Sequence, residues 1–199
     1  MKILLIGAHG TIGSGIDREL SPRHEIVRIG RKSGDFQVDI SDSASIRQLF
    51  EQTGRFDALI CAAGNVSFVP LMEMSEKDFA LGLQDKLMGQ VNLLLIGREF
   101  ANDGASFTFT SGVISREPIR TGSSAALVNA ALDGFVKAAA IELPRGLRVN
   151  SVSPTVLEEA MEHYAPYFRG FKPVAGADVA LAYAKSVEGL HTGQTYPVG

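Results

Sequence analysis

Short apolar runs alternate along the whole chain with longer stretches of helical periodicity. Residues 3–6 form an unbroken apolar run, the mark of a strand covered on both faces. Further strands are predicted at 25–29, 36–38, 57–62, 106–110, 148–152 and 194–198. Helices are predicted at 11–20 and 42–52, the latter capped by Asp42 or Ser43 and presenting Ile46, Leu49 and Phe50 on one face. Two helical segments fill 75–100, with Gly82 and Gly89 as soft points, and a long helix covers 121–143. Helical turns over 157–164 and a helix over 177–186 precede the last strand. Such alternation predicts a three-layer, doubly wound α/β fold: about seven parallel strands between two layers of helices, in one domain spanning residues 1–199. The loosest stretch, 166–176, carries Tyr167, Phe168 and Phe171, so it is expected to pack over something.

Between the first strand and the first helix lies Gly7-Ala8-His9-Gly10-Thr11-Ile12-Gly13. Glycines permit a tight turn and clear side chains from an approaching pyrophosphate. The helix start behind them supplies unpaired N–H groups and a partial positive charge. The spacing is G-x-x-G-x-x-G, and its place after a first apolar strand makes it a phosphate cradle. His9 reads as a solvent-facing turn residue beside the phosphate.

The second strand runs into Gly30-Arg31-Lys32-Ser33. A fold selective for NAD places an acid near this position for the ribose hydroxyls. Here a guanidinium stands ready to clamp a 2′-phosphate, with Lys32 and Ser33 adding a charge and a donor. NADP(H) is therefore favoured over NAD(H).

From end to end the chain resembles the short-chain dehydrogenase/reductase superfamily, with its Rossmann fold. Asp39-Ile40 resembles the acid-plus-apolar pair that meets adenine. Cys61-Ala62-Ala63-Gly64 resembles that family's N-N-A-G segment, where small residues let the adenosine ribose lie against a strand end. Val149-Asn150-Ser151-Val152-Ser153-Pro154-Thr155 resembles V-N-x-V-x-P-G beside the nicotinamide, with Thr155 in place of glycine, and Thr192-Gly193-Gln194 resembles the T-G-Q before the last strand. The resemblance implies cofactor contacts at Gly7, His9, Gly10, Thr11, Ile12, Gly13, Arg31, Lys32, Ser33, Asp39, Ile40, Ala62, Ala63, Gly64, Pro154 and Val156.

The catalytic set of that family departs here. Its members use Ser, Tyr and Lys in the order S-x12-Y-x3-K, with an Asn from an earlier helix. The segments Ser111-Gly112-Val113 and Ala130-Ala131-Leu132-Asp133-Gly134-Phe135 put Gly112 at the serine, Ala125 at the tyrosine and Asn129 at the lysine. A shift of one residue gives Ser111, Ser124 and Val128, which restores neither phenol nor amine. The Asn position falls on Lys86. Lys86, Ser111, Ser124 and Asn129 are the catalytic candidates, and Ser115 and Ser123 are expected nearby. A partly buried lysine near a cofactor can have a lowered pKa and donate a proton, or hold a substrate carboxylate, and Asn129 can replace the missing lysine at the ribose.

Composition narrows the function classes. The 199 residues carry a net charge of −3 with no basic run, which points away from nucleic acid and anionic membranes. The single cysteine, Cys61, permits no internal disulfide, and the cytoplasm is the expected compartment. The first apolar run is too short for a signal or membrane segment, and no metal site is expected. The expected partners are a small-molecule substrate and further copies of the chain: residues 75–100 and the alanine-rich 121–143 commonly pair across a two-fold in this family, giving a homodimer or tetramer. Three functions stay open. They are hydride transfer to a small carbonyl or similar acceptor with an unusual proton donor, a flavin-reductase-like reaction that needs no tyrosine, and a non-catalytic NADP(H) sensor or partner-binding protein.

Overall fold

A computed structural model describes residues 1–199. Seven strands form one all-parallel sheet in the order β3-β2-β1-β4-β5-β6-β7. They are β1 (Lys2–Ile6), β2 (Glu25–Gly30), β3 (Phe36–Gln37), β4 (Phe56–Cys61), β5 (Ala101–Thr110), β6 (Arg148–Pro154) and β7 (Thr195–Val198). The helices are α1 (Thr11–Leu20), α2 (Ser43–Thr53), α3 (Glu76–Gly82), α4 (Met88–Gly97), α5 (Ser123–Ala140), the short α6 (Met161–Tyr164) and α7 (Gly176–Glu188). This is the expected doubly wound Rossmann-type architecture.

The apolar run in β1 is explained by the two cores. Leu4 and Ile6 join the side packed by Ile46, Phe50, Leu93 and Leu132 of α2, α4 and α5. Ile3 and Leu5 join the opposite side, packed by Ile16, Val179 and Tyr183 of α1 and α7. Successive strand residues point to opposite faces, so both must be apolar when both faces are covered. Strand order reverses between β1 and β4, and a crevice opens at the carboxyl ends of strands at such a point.

Three elements differ from expectation. β5 begins at Ala101, but its pairing with β4 jumps from Phe56↔Ala101 to Ala58↔Ser106. The intervening polar residues bulge out, held by Asn102 Nδ2 donating to Asp57 Oδ1 at 2.7 Å and by Gly104 at φ +76°. α5 starts at Ser123 rather than 121 because Thr121 lies at φ +65°, outside the helical region. Between α3 and α4 the backbone widens into π turns over Leu83–Leu87. The flanking glycines serve close packing rather than flexibility. A Cβ on Gly82 would sit 3.0 Å from Ser124 Oγ, and one on Gly89 would sit 3.0 Å from the Ile40 side chain.

Candidate functional site

The crevice is built from the glycine turn outward. Gly7, at φ +84°, lies so close to β4 that a Cβ would stand 2.7 Å from the Ala62 carbonyl oxygen. Gly13 is pressed onto the same turn, and its Cβ would stand 2.0 Å from the Gly7 oxygen. Gly10 has room, with its nearest atom at 3.4 Å, and it starts α1 with no side-chain cap. The first amides of α1, those of Thr11, Ile12 and Gly13, therefore have no acceptor within the helix. His9 is exposed beside them, its Nδ1 at 3.4 Å from Ser33 Oγ.

Past β2, Gly7, Gly30, Arg31, Asp39, Ile40, Ala63 and Gly64 line a small cleft of about 90 Å³. Arg31 Nη2 donates to Asp39 Oδ2 at 2.8 Å, and Ser41 donates to the same carboxylate through its amide and hydroxyl. Those Ser41 bonds, helped by Arg31, hold the Asp39 carboxyl below its usual range. Lys32 and Ser33 are exposed at the rim, and Ile40 is buried beneath it against Gly89.

A second cavity, of about 240 Å³, opens beyond the ends of β4, β5 and β6. Ile12, Ala62, Pro154 and Gly112 line it with the candidates Lys86, Ser111 and Asn129. Lys86 projects from the π turns, a helix irregularity often found at functional sites. Its backbone packs on Gly64, where a Cβ would come within 2.7 Å of Lys86 Cγ, which accounts for the glycine at φ +134°. Gln90 ties this turn to the sheet, donating to the carbonyls of Lys86 (3.1 Å) and Thr110 (3.3 Å) and accepting from Thr110 N (2.9 Å). Lys86 Nζ donates to the Ser111 carbonyl at 3.4 Å. Desolvation brings its pKa down to about 8, against the opposing pull of Asp133. Burial pushes the Cys61 thiol up to about 12, so it stays protonated and inert at neutral pH.

Five buried side-chain polar atoms have no hydrogen-bond partner, and three of them belong to this cavity: Ser111 Oγ, Asn129 Oδ1 and Thr155 Oγ1. Buried polar atoms are nearly always paired, so a cluster of exceptions in one cavity marks a place that a ligand completes. Thr155 was not among the expected site residues, although it directly follows Pro154 in the segment quoted above. Ala125, at the position of the family's tyrosine, lines the same wall.

The phase of α5 sorts the remaining candidates. Ala125 and Asn129, four apart, face the cavity, whereas Ser124 and Val128 face α3 across Gly82. The structure does not bring Ser124 to the cavity. Its hydroxyl donates to the Asp78 carbonyl at 3.4 Å in the seam between helices. Ser115 is likewise turned away, donating to Asp133 Oδ2 at 3.2 Å, and Ser123 belongs to an outer groove. Val156 lies behind the wall, buried with Val113, Ile114 and Phe168. Phe168 confirms that the aromatic loop packs inward, since it is buried and lines the cavity.

Comparisons with known proteins agree with this fold. Residues 14–190 match a family model described as enoyl-(acyl carrier protein) reductase. Curated short-chain dehydrogenases/reductases of Pestalotiopsis microspora and Stachybotrys chlorohalonatus are 26% and 30% identical over 158 and 129 residues, 71% and 60% of this chain. Those matches span 58% and 51% of the relatives' own length, little more than half. Among solved structures, the protein lin1944 from Listeria innocua is 48% identical, with a TM-score of 0.99 and full coverage of both chains. A small-chain dehydrogenase in complex with NADPH is 26% identical, with a TM-score of 0.88, covering 100% of this chain and 96% of that one.

Proposed function

The chain belongs to the short-chain dehydrogenase/reductase superfamily, and from that premise we propose that it is an NADP(H)-dependent oxidoreductase acting on a small carbonyl or similar acceptor, with Lys86 as its proton donor. One observation carries the reading: Lys86 and three unpartnered buried polar atoms converge on one cavity beside a glycine turn cleared for phosphate.

The residues fit the cofactor along its length. The free amides of α1 would hold a pyrophosphate, and the cleft at Asp39 and Ile40 would take adenine. The Asn129 Oδ1 would accept from a ribose hydroxyl, where the family uses lysine. Gly112 makes that approach possible, because a Cβ there would stand 3.1 Å from Asn129 Nδ2. The hydroxyls of Ser111 and Thr155 remain to orient the carboxamide and the acceptor. A nicotinamide held there would supply the hydride for the electrophilic carbon. Lys86 Nζ meets the negative charge that develops on the acceptor oxygen and passes it a proton. No phenol is needed, because an ammonium whose pKa is about 8 is both charged at neutral pH and able to release its proton.

NADPH is expected to bind and to be consumed in the presence of one class in a panel of carbonyls, quinones and flavins. A flavin-only response selects a flavin-reductase-like reaction, and tight binding with no turnover on any acceptor selects a sensor. Absence of binding at millimolar NADPH removes the proposal.

Selectivity for the 2′-phosphate rests on Arg31, which is well exposed and must exchange Asp39 for the phosphate. Arg31→Ala is expected to weaken NADPH roughly 10–100-fold, the value of a charge-assisted bidentate contact, and to leave NADH nearly unchanged. Parallel calorimetric titrations with both dinucleotides check this, and an equal loss for the two would refute the role.

The assembly we propose is a homodimer or tetramer joined through α4 and α5. α4 contains no charged residue, yet Met88 and Leu95 are exposed on it, in line with Leu81 of α3, and Leu127 is exposed on α5. An uncharged helix with an apolar outer face calls for a cover, and in a two-fold pairing the same face of a second copy supplies it. Leu95→Glu is expected to shift sedimentation from dimer or tetramer to monomer without loss of NADPH binding. A wild-type protein that sediments as a monomer contradicts the assembly.

No helix is long and apolar enough to cross a membrane.

A further inference from the structure

Outside the inner cavity lies a larger one, of about 870 Å³, formed where residues 70–72, 118–123 and 166–171 come together. Two guanidinium groups, those of Arg120 and Arg169, line it, and none of its twelve lining residues is acidic. Neither arginine side chain has a hydrogen-bond or ion-pair partner, whereas Arg23, Arg28, Arg31, Arg47 and Arg145 are each paired with a carboxylate. Much of the rest of the rim is apolar and unusually exposed: Leu71 is 63% exposed, Met72 94% and Tyr167 48%. Such a patch beside two free cations matches a ligand with an apolar body and an anionic end.

The turn that presents Arg120 is built at a cost. Thr121 holds φ +65°, a conformation that a β-branched residue rarely adopts, and Gly122 closes the turn so tightly that a Cβ would stand 3.0 Å from Ile119 Cγ1. Strain of this kind persists where the surroundings impose it and clusters at ligand clamps. The same turn opens α5, whose first turn carries no side-chain cap and no acid, so the field there also favours an anion.

The two cavities share a wall. Phe168 lines the inner one and Phe171 the outer, with ring centroids 5.2 Å apart in an edge-to-face pair. The two cavities are therefore neighbours, parted only by this pair of rings. We propose that Arg120 and Arg169 form a recognition site for the oxyanion end of the substrate, a carboxylate or a phosphate carried on an apolar chain or ring. This rests on the reading of the inner cavity as the site of hydride transfer, and it names the substrate class of that site.

The test is calorimetric titration of the NADP⁺-loaded protein with octanoate, octyl phosphate and octanol. At least one anion is expected to bind ten or more times as tightly as octanol, and the better of the two tells carboxylate from phosphate. The Arg120→Gln/Arg169→Gln double variant is expected to lose that preference while keeping wild-type affinity for NADPH and its melting temperature, since both side chains are exposed. Octanol binding as well as both anions, anions binding equally to the double variant, or no anion binding to a protein that does hold NADP⁺ would each overturn the recognition site alone. Failure to load the dinucleotide at all overturns the proposed function beneath it.

Discussion

Gly13→Ala is expected to abolish dinucleotide binding, weakening it by more than about 100-fold, and to lower stability by roughly 1–3 kcal/mol, the range for overpacking a tight contact. The added Cβ would lie 2.0 Å from the Gly7 carbonyl oxygen and within 2.9 Å of Ala8 C, and none of these atoms belongs to a side chain that can turn away. α1 must then lift from the end of β1, carrying its free amides away from the pyrophosphate. Gly10→Ala provides the contrast. Its Cβ meets nothing nearer than 3.4 Å and projects into the open crevice, so the fold should keep its melting temperature while NADPH binding still weakens. Thermal melts and NADPH titrations of both variants separate the two causes. Gly13→Ala binding NADPH like the wild type would remove the phosphate role of the turn.

The glycine turn was legible from the chain because Gly7 needs a left-handed backbone and Gly13 is pressed onto the Gly7 carbonyl, both within one seven-residue stretch. The strands were legible for a similar reason: a sheet buried on both faces leaves runs such as Ile3–Ile6 no polar position to confuse the pattern. Where side chains bend the backbone, the reading slipped. Asn102 and Asp103 are polar, yet they bulge within a strand that already begins at Ala101, paired with Phe56. Thr121 looks compatible with a helix start, but its left-handed backbone holds α5 back to Ser123.

The site divides along the same line. Two registers for the family's serine, tyrosine and lysine were open on spacing alone. One residue along α5 is a turn of about 100°, enough to send Ser124 to α3 and Asn129 to the cavity. Only the packing of Gly82 against α5 decides that phase. Thr155 was marked only as the neighbour of Pro154, and the outer arginine cavity had no local signature at all, since it arises from segments far apart in the chain.

Lys86→Met should make the protein more stable and far less active. At neutral pH the native state must charge an amine that its surroundings desolvate, a cost the unfolded chain does not bear. Below the native pKa of about 8 that cost is constant. Between that value and the ordinary lysine pKa of 10.5, the unfolded chain holds a proton that the native protein has released, so stability rises with pH through this window. Methionine removes the charge and keeps the volume, so it should add about 1–3 kcal/mol at pH 7, a rise of roughly 3–8 °C in melting temperature. The advantage should shrink as pH climbs from 8 toward 10.5. Turnover of NADPH should meanwhile fall by about 10²–10⁴, the usual contribution of a positioned acid. In the wild type the rate of reduction should drop as pH rises through about 8, where the ammonium is lost, and the residual rate of the variant should not follow that profile. Lys86→Arg separates proton donation from mere attraction. A guanidinium keeps the charge but does not release a proton in this range, so it should leave substrate affinity largely intact and fail to restore turnover. A Lys86→Arg enzyme with near wild-type turnover, or a Lys86→Met enzyme with an unaltered rate, would take the proton-donor role away from this side chain.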